Sequence, residues 1–258
     1  MSKMHEGLAS VGEEESSMKL GVVQMPLVED IGRNEKRISA HLEAAASQGI
    51  SLVGFPEMAL TSYSPDVLKD PDLNECVETA LARIQTACRA SGIGVIIGHG
   101  FREGDKLFNR STALLPDGRR LTYDKIYLAE MEQKYFTPGD KPLSFEFGGM
   151  MVGVIVCRDQ NYPLLARQLR HEGSEALFIL SAHYYKPKEA RWKVEKNRAL
   201  PIARAVETGM TVLVSNAVGS HLGMVSLGNS LIADPSGCVI VSANESDETI
   251  LSADLPVG

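Results

Sequence analysis

The chain has 258 residues, with 26 Lys and Arg against 33 Asp and Glu, a formal net charge of −7. That length suits one large α/β domain, able to bury roughly 70–75% of its unfolded surface without help from disulfides or metals. The acidic balance argues against a nucleic acid or an anionic membrane as partner, and no apolar run nears the ~20 residues of a membrane span.

Residues 1–17 are polar and acidic, with Glu13-Glu14-Glu15, and read as a loose extension before a single domain over 18–258. They hold no basic segment followed by an apolar one, so no secretory signal is expected. Cys76, Cys88, Cys157 and Cys238 are scattered, without a CxxC or a Cys/His cluster. This predicts no zinc site, no disulfide framework and a cytoplasmic location.

Leu20 to Met25 reads as the first strand. Helical spacing follows over Asn34 to Ser47, with Ile38, Leu42 and Ala45 on one face and Gly49 as the stop. Ser51 to Phe55 is a second strand, ending in Pro56-Glu57. Residues 61–73, with Pro65 and Pro71, are expected to be a loop, and Asn74 to Arg89 a second helix. Gly94 to Gly100 is a third strand. Lys106 to Pro116 and Arg119 to Leu128 form a hairpin about the Pro116-Asp117-Gly118 turn. After a loop over 130–140, Leu143 to Phe147 and Met150 to Val156 pair across Gly148-Gly149. Tyr162 to His171 is helical and Ala176 to Ser181 is a strand. Lys188 to Glu207 is helical, with a bend expected at Pro201. Strands at Thr211 to Ser215, Ser230 to Ala233, Val239 to Ser242 and Ile250 to Asp254 close the chain. Helices intermixed with strands imply helices layered on sheets. No Gly-rich phosphate loop is present, so no nucleotide cofactor is expected.

The strand Met150 to Val156 runs straight into Cys157-Arg158-Asp159-Gln160-Asn161-Tyr162-Pro163. A free cysteine is often a small buried hydrophobe. At the carboxyl end of a strand that turns toward a helix, it also stands where α/β folds place their chemistry. Three charged residues occupy comparable places: Glu57 after the second strand, Lys125 at the end of the hairpin, and Glu132 in the following loop. Each alone is an ordinary solvated residue. Together with a thiol they are what acyl transfer needs. A carboxylate takes the thiol proton, an ammonium faces the oxyanion, and the resulting acid protonates the leaving amine.

The blocks Phe55-Pro56-Glu57, Tyr123-x-Lys125-x-x-Leu128 and Cys157-x-Asp159-x-x-Tyr162-Pro163 resemble the three motifs of the nitrilase superfamily, the carbon–nitrogen hydrolases, in the family's order. Gln24, Asn109, the run Tyr135 to Asp140, Trp192, Arg204 to Glu207, Asn216-x-x-Gly219 and Asp234-Pro235-x-Gly237 add to the likeness, which spans about residues 19–255. It implies a four-layer α-β-β-α sandwich that assembles into a homodimer or a higher homo-oligomer. It implies Cys157 as nucleophile and Glu57 as general base. Lys125 and the backbone N–H of Arg158 would hold the oxyanion. Glu132, ahead of its neighbour Glu130, would be a second glutamate that orients substrate. No metal or organic cofactor is implied. The expected partner is a small-molecule amide, and the expected reaction is hydrolysis of a small linear carboxamide to acid and ammonia. An N-carbamoyl amine hydrolase, a nitrilase and a non-catalytic scaffold relative are the alternatives.

Three further positions are candidate substrate-binding residues. Asn161 stands four residues after Cys157, where relatives acting on carboxylates often carry Arg. A neutral carboxamide cannot grip a carboxylate bidentately, so a neutral or cationic amide is expected. Arg158 can lower the thiol pKa or turn away into an ion pair with Asp159 or a neighbour. His183, just after the strand Ala176 to Ser181, can contact substrate or sit at the rim.

Overall fold

The computed structural model describes residues 16–257, so residues 1–15, where most of the loose extension was expected, lie outside it. Ser17 already belongs to the domain, as the first residue of β1 (Ser17–Gln24), paired with Pro256. α1 (Ile31–Ser47) follows, capped by the Asp30 carboxylate, which accepts the Arg33 N–H at 2.7 Å. Next come β2 (Leu52–Gly54), a short α2 (Pro65–Lys69) and α3 (Leu73–Ser91), which stops at Gly92 in the left-handed region. β3 (Gly94–Glu103), β4 (Lys106–Leu114) and β5 (Arg120–Asp124) form an antiparallel meander.

The second half begins with the hairpin β6 (Leu143–Phe147) and β7 (Met150–Val156). α4 (Pro163–His171), β8 (Ala176–Ser181), α5 (Pro187–Thr208) and β9 (Thr211–Asn216) follow. A small hairpin, β10 (Val218–His221) with β11 (Met224–Leu227), precedes β12 (Leu231–Ala233), β13 (Val239–Ser242) and β14 (Thr249–Pro256).

Two six-stranded sheets result, ordered β14-β1-β2-β3-β4-β5 and β13-β12-β9-β8-β7-β6. Each holds a central parallel trio, β1-β2-β3 or β7-β8-β9, with one antiparallel strand on the first edge and two on the other. The same arrangement thus occurs twice, although the sequence shows no internal repeat.

Strand alternation divides the core into three apolar layers. Val23 and Val53 point outward to Ile38, Leu42 and Ile84 of α1 and α3. Leu20, Val22 and Ile96 point inward and meet Val154, Phe178 and Leu213 of the other sheet. Ile155, Ile179 and Val212 point out again to Leu165, Leu169 and Ala205 of α4 and α5. These layers define the α-β-β-α sandwich, and each fully buried Leu, Ile or Val contributes about 1.5–3 kcal/mol.

Four details differ from the sequence reading. β5 ends at Asp124, not Leu128, because the Tyr127 N–H that would extend the ladder donates instead to Asp159 Oδ1 at 2.8 Å. Helix α2 lies in the expected loop, with Pro65 at its first position, where the missing N–H costs nothing. The hairpin β10–β11 was not expected. α5 runs unbroken through the buried Pro201, so the helix absorbs the one hydrogen bond that proline removes.

Candidate active site

The carboxyl ends of both parallel trios meet at one place. Ala182, just past β8, donates its N–H to Glu57 Oε2 at 3.1 Å, and Ser215 Oγ on β9 donates to the Val23 carbonyl of β1. Ligand sites of open α/β sheets form at this end of the strands. A cavity of ≈ 1180 Å³ opens there, lined among others by Glu57, Lys125, Glu132 and Cys157.

Glu57 leaves β2 on a tight loop in which Met58 and Ser62 both have φ of +57°. The loop lies directly against β3. A Cβ on Gly98 would sit 2.5 Å from Met58 N and 2.8 Å from Glu57 Cα, so only glycine permits the approach. Glu57 is 1% exposed. Its Oε1 accepts Lys125 Nζ at 2.6 Å and Asn109 Nδ2 at 2.8 Å.

Lys125, also 1% exposed, follows β5 directly and donates its N–H to the Asn109 carbonyl. Its Nζ lies 2.8 and 2.9 Å from the two oxygens of Glu132. Glu132 opens a 3₁₀ turn (Glu132–Lys134) and accepts the Tyr63 hydroxyl at 2.9 Å, Asn109 Nδ2 at 3.1 Å and the Ala129 N–H at 2.6 Å. Burial alone would favour neutral lysine. The carboxylates of Glu57 and Glu132 reverse that and hold the ammonium charged well above the ordinary lysine range. For Glu132 burial pushes upward, but Lys125 wins and the carboxyl stays below its usual range. Burial beside both carboxylates raises the Tyr63 hydroxyl, so it stays protonated and donates.

Cys157 ends β7 and opens a second 3₁₀ turn (Cys157–Asn161), with φ of +46°. A non-glycine residue there stores roughly 1–3 kcal/mol of backbone strain. Asp159, fully buried, holds the elbow in place. Its Oδ2 accepts the Val156 N–H at 2.9 Å and the Tyr123 hydroxyl at 2.7 Å, and its Oδ1 accepts the Tyr127 N–H. One carboxylate thereby ties the Cys157 turn to the segment carrying Lys125. Tyr162 stacks on Tyr127 at 3.6 Å between ring centroids and braces the same junction. Burial pushes the Asp159 carboxyl from 3.8 up to about 6, against the three hydrogen bonds that favour its charged form. The Cys157 thiol is pushed well above 9 by burial and then by Glu57, with Lys125 opposing. The resting group is a thiol, and its proton must leave when it attacks.

The structure brings Glu57, Lys125, Glu132 and Cys157 together on the cavity wall. Glu130 lines the cavity but is exposed and makes no contact with Lys125 among the described residues. Arg158 and Asn161 line the cavity, Asn161 exposed and Arg158 half-buried. Arg158 makes no ion pair with Asp159, whose oxygens are already engaged, and the largest influences on the thiol are burial, Glu57 and Lys125. The ion pair expected as one reading of Arg158 does not form among the described residues, and its place on the cavity wall is that of a candidate substrate-binding residue. His183 is buried, its ring 3.2 Å from Gln160 Nε2 and stacked on Tyr185. Burial lowers its pKa to about 4, so the imidazole is neutral. The residues missed as site members were Tyr63, Asp159 and Gln160. Asn109 was noted only as a supporting match, yet it donates to both carboxylates. Among the described residues no group of three or more His, Cys, Asp or Glu is placed to hold a metal ion.

A strained thiol, a buried carboxylate beside it and an ammonium held between two glutamates define a thiol hydrolase of carbon–nitrogen bonds. A sequence model described as carbon-nitrogen hydrolase matches residues 19–258. The chain belongs to the carbon–nitrogen hydrolase family. It is 30% identical to a nitrilase of Pyrococcus abyssi over 244 residues, which is 92% of this chain and 89% of that one. It is 27% identical to an (R)-stereoselective amidase of a Pseudomonas species, covering 89% of this chain and 82% of the other. An amidase of the nitrilase superfamily from Nesterenkonia AN1 superimposes with a TM-score of 0.82 at 25% identity, over 93% of this chain and 92% of that one.

Proposed function

We propose that this enzyme is an amidase that hydrolyses a small linear carboxamide to acid and ammonia through a Cys157 thioester. The observation that carries the reading is Lys125 Nζ, 2.6 Å from Glu57 Oε1 and 2.8 Å from Glu132 Oε2, beside a thiol that is protonated at rest. Glu57 takes the Cys157 proton as sulfur attacks the amide carbon. At rest its carboxylate binds Lys125 tightly. Once protonated it binds less strongly and frees an ammonium N–H for the oxyanion. The Arg158 backbone N–H supplies the second donor. Glu57 then passes its proton to the leaving nitrogen, the C–N bond breaks and ammonia departs. Water adds to the thioester with Glu57 again as base, releasing the acid and restoring the thiol. Glu132, with Tyr63 and Asn109, keeps Lys125 charged and aimed.

An amidase relative and an amidase neighbour support amide hydrolysis, and filled catalytic positions speak against a scaffold role. The test is ammonia release from matched amides, nitriles and N-carbamoyl amines. Amides should be turned over fastest, and Cys157→Ala should reduce the rate to background while keeping its thermal midpoint. Turnover of nitriles alone would refute the amidase reading.

A further inference from the structure

We infer that Arg158 is a specificity-determining residue that receives a carboxylate at the far end of the amide substrate; this rests on the amidase reading for what is cleaved, but not for what is bound. Arg158 follows Cys157 directly and lines the same cavity. Among the described residues no carboxylate oxygen comes within 4.0 Å of it, and its Nε is sealed from solvent without a hydrogen-bond partner. Arginine, which is always charged, is rarely left so in a half-buried place.

Every nearby acid is otherwise engaged. Asp159 is filled by Val156, Tyr127 and Tyr123, Glu57 and Glu132 by Lys125, and Glu189 by Lys193 at 2.6 Å. The remaining carboxylates on the cavity wall, Asp105 and Glu130, are exposed at the rim. Against them stand Lys69, Lys134, Lys186 and Lys196, exposed on the same rim and without ion pairs among the described residues. A chain with net charge −7 thus concentrates unpaired positive charge at its one catalytic mouth. Such a field draws in anions, and the planar guanidinium fork matches a carboxylate's two oxygens. This reading departs from the expectation, drawn from Asn161, of a neutral or cationic amide. The cation that position lacks is supplied three residues earlier.

The test compares glutaramate, the monoamide of glutaric acid, with glutaramide, which has the same skeleton and no carboxylate. The wild type should favour glutaramate in kcat/KM. Arg158→Gln should lower that preference about 10- to 100-fold, mainly through KM, as expected for losing a hydrogen bond to a charged group. Arg158→Lys, which keeps the charge but not the fork, should fall between. In parallel, calorimetry on Cys157→Ala should show glutaramate binding that weakens by the same factor in Cys157→Ala/Arg158→Gln. Thermal midpoints identify any variant that fails to fold. Equal preference for the two amides in wild type and Arg158 variants, or unchanged binding on loss of Arg158, overturns the inference. If neither amide is hydrolysed, the ammonia-release panel decides the amidase reading, while the binding measurement still decides the role of Arg158.

Discussion

The two sheets have the same strand order but bring different things to the site. The first sheet supplies Glu57 after β2 and Lys125 after β5, and the loop beyond adds Glu132. All three are tied into one ionic network in which each acidic oxygen and the ammonium have partners. The second sheet supplies Cys157 after β7 and Ala182 and His183 after β8. Its polar groups are less fully used, and Arg158 Nε and Gln160 Oε1 are buried without partners. In the first half the ionic groups are all paired, although the Asn109 amide oxygen beside them is buried without a partner. The spare donors and acceptors of the second half are those that the proposed reading of Arg158 assigns to substrate. Asp159 joins the two halves, reaching from the cysteine turn to Tyr123 and Tyr127.

Breaking the first half should cost most. Glu57→Gln keeps a side chain that can still face Lys125 but removes the base, so kcat should fall by about 10²–10⁴ with KM little changed. Steady-state ammonia release reads this directly. Lys125→Ala should lower kcat by about 10²–10³ if the ammonium faces the oxyanion. It should also destabilise the fold by about 3–5 kcal/mol, because two buried carboxylates lose their shared cation. Urea unfolding checks the second effect, and a stable variant with near-normal turnover would remove Lys125 from the mechanism.

Cutting the link between the halves should cost less. Asp159→Ala leaves two backbone N–H groups without acceptors, at about 1–3 kcal/mol each. Asp159 also carries a pH signature. Its folded pKa of about 6 lies above the ordinary 3.8, so the folded state holds a proton that the unfolded chain has released. Its contribution is fully present below pH ~4 and is lost as pH rises to ~6. The thermal midpoint of the wild type relative to Asp159→Asn should therefore fall across that window. A flat difference would show that the hydrogen bonds outweigh burial.

The smallest effect belongs to His183. Held neutral by burial, with a pKa near 4, it should add no titration near neutrality. His183→Gln should leave the shape of kcat/KM between pH 5.5 and 8 unchanged, with a rate loss of about tenfold or less. A limb near pH 6.5 that disappears in this variant would make His183 a proton carrier instead.

Much of this was legible in the chain because its signals are local. Short apolar runs marked the central strands, and Phe55-Pro56-Glu57, Lys125 and Cys157 each sit at the end of one. What escaped acts across distance. Tyr63 and Glu132 are 69 residues apart, Asn109 and Glu57 are 52 apart, and Tyr123 and Asp159 are 36 apart. No periodicity encodes such pairs. The length of β5 escaped for the same reason, since a carboxylate from the other sheet takes the N–H that would have extended it. Arg158 was singled out as a candidate substrate-binding residue, but whether it is paired was not legible, because that depends on neighbours that the fold alone selects.

In the proposed mechanism Cys157, and no other group, carries the acyl intermediate. Rapid acid quench of the enzyme turning over a good amide, followed by peptide mass analysis, tests it most directly. The expected result is a mass increase equal to the acyl group on the peptide containing Cys157, absent in Cys157→Ala. Steady hydrolysis with no adduct on that peptide, or an adduct that persists in Cys157→Ala, would contradict it.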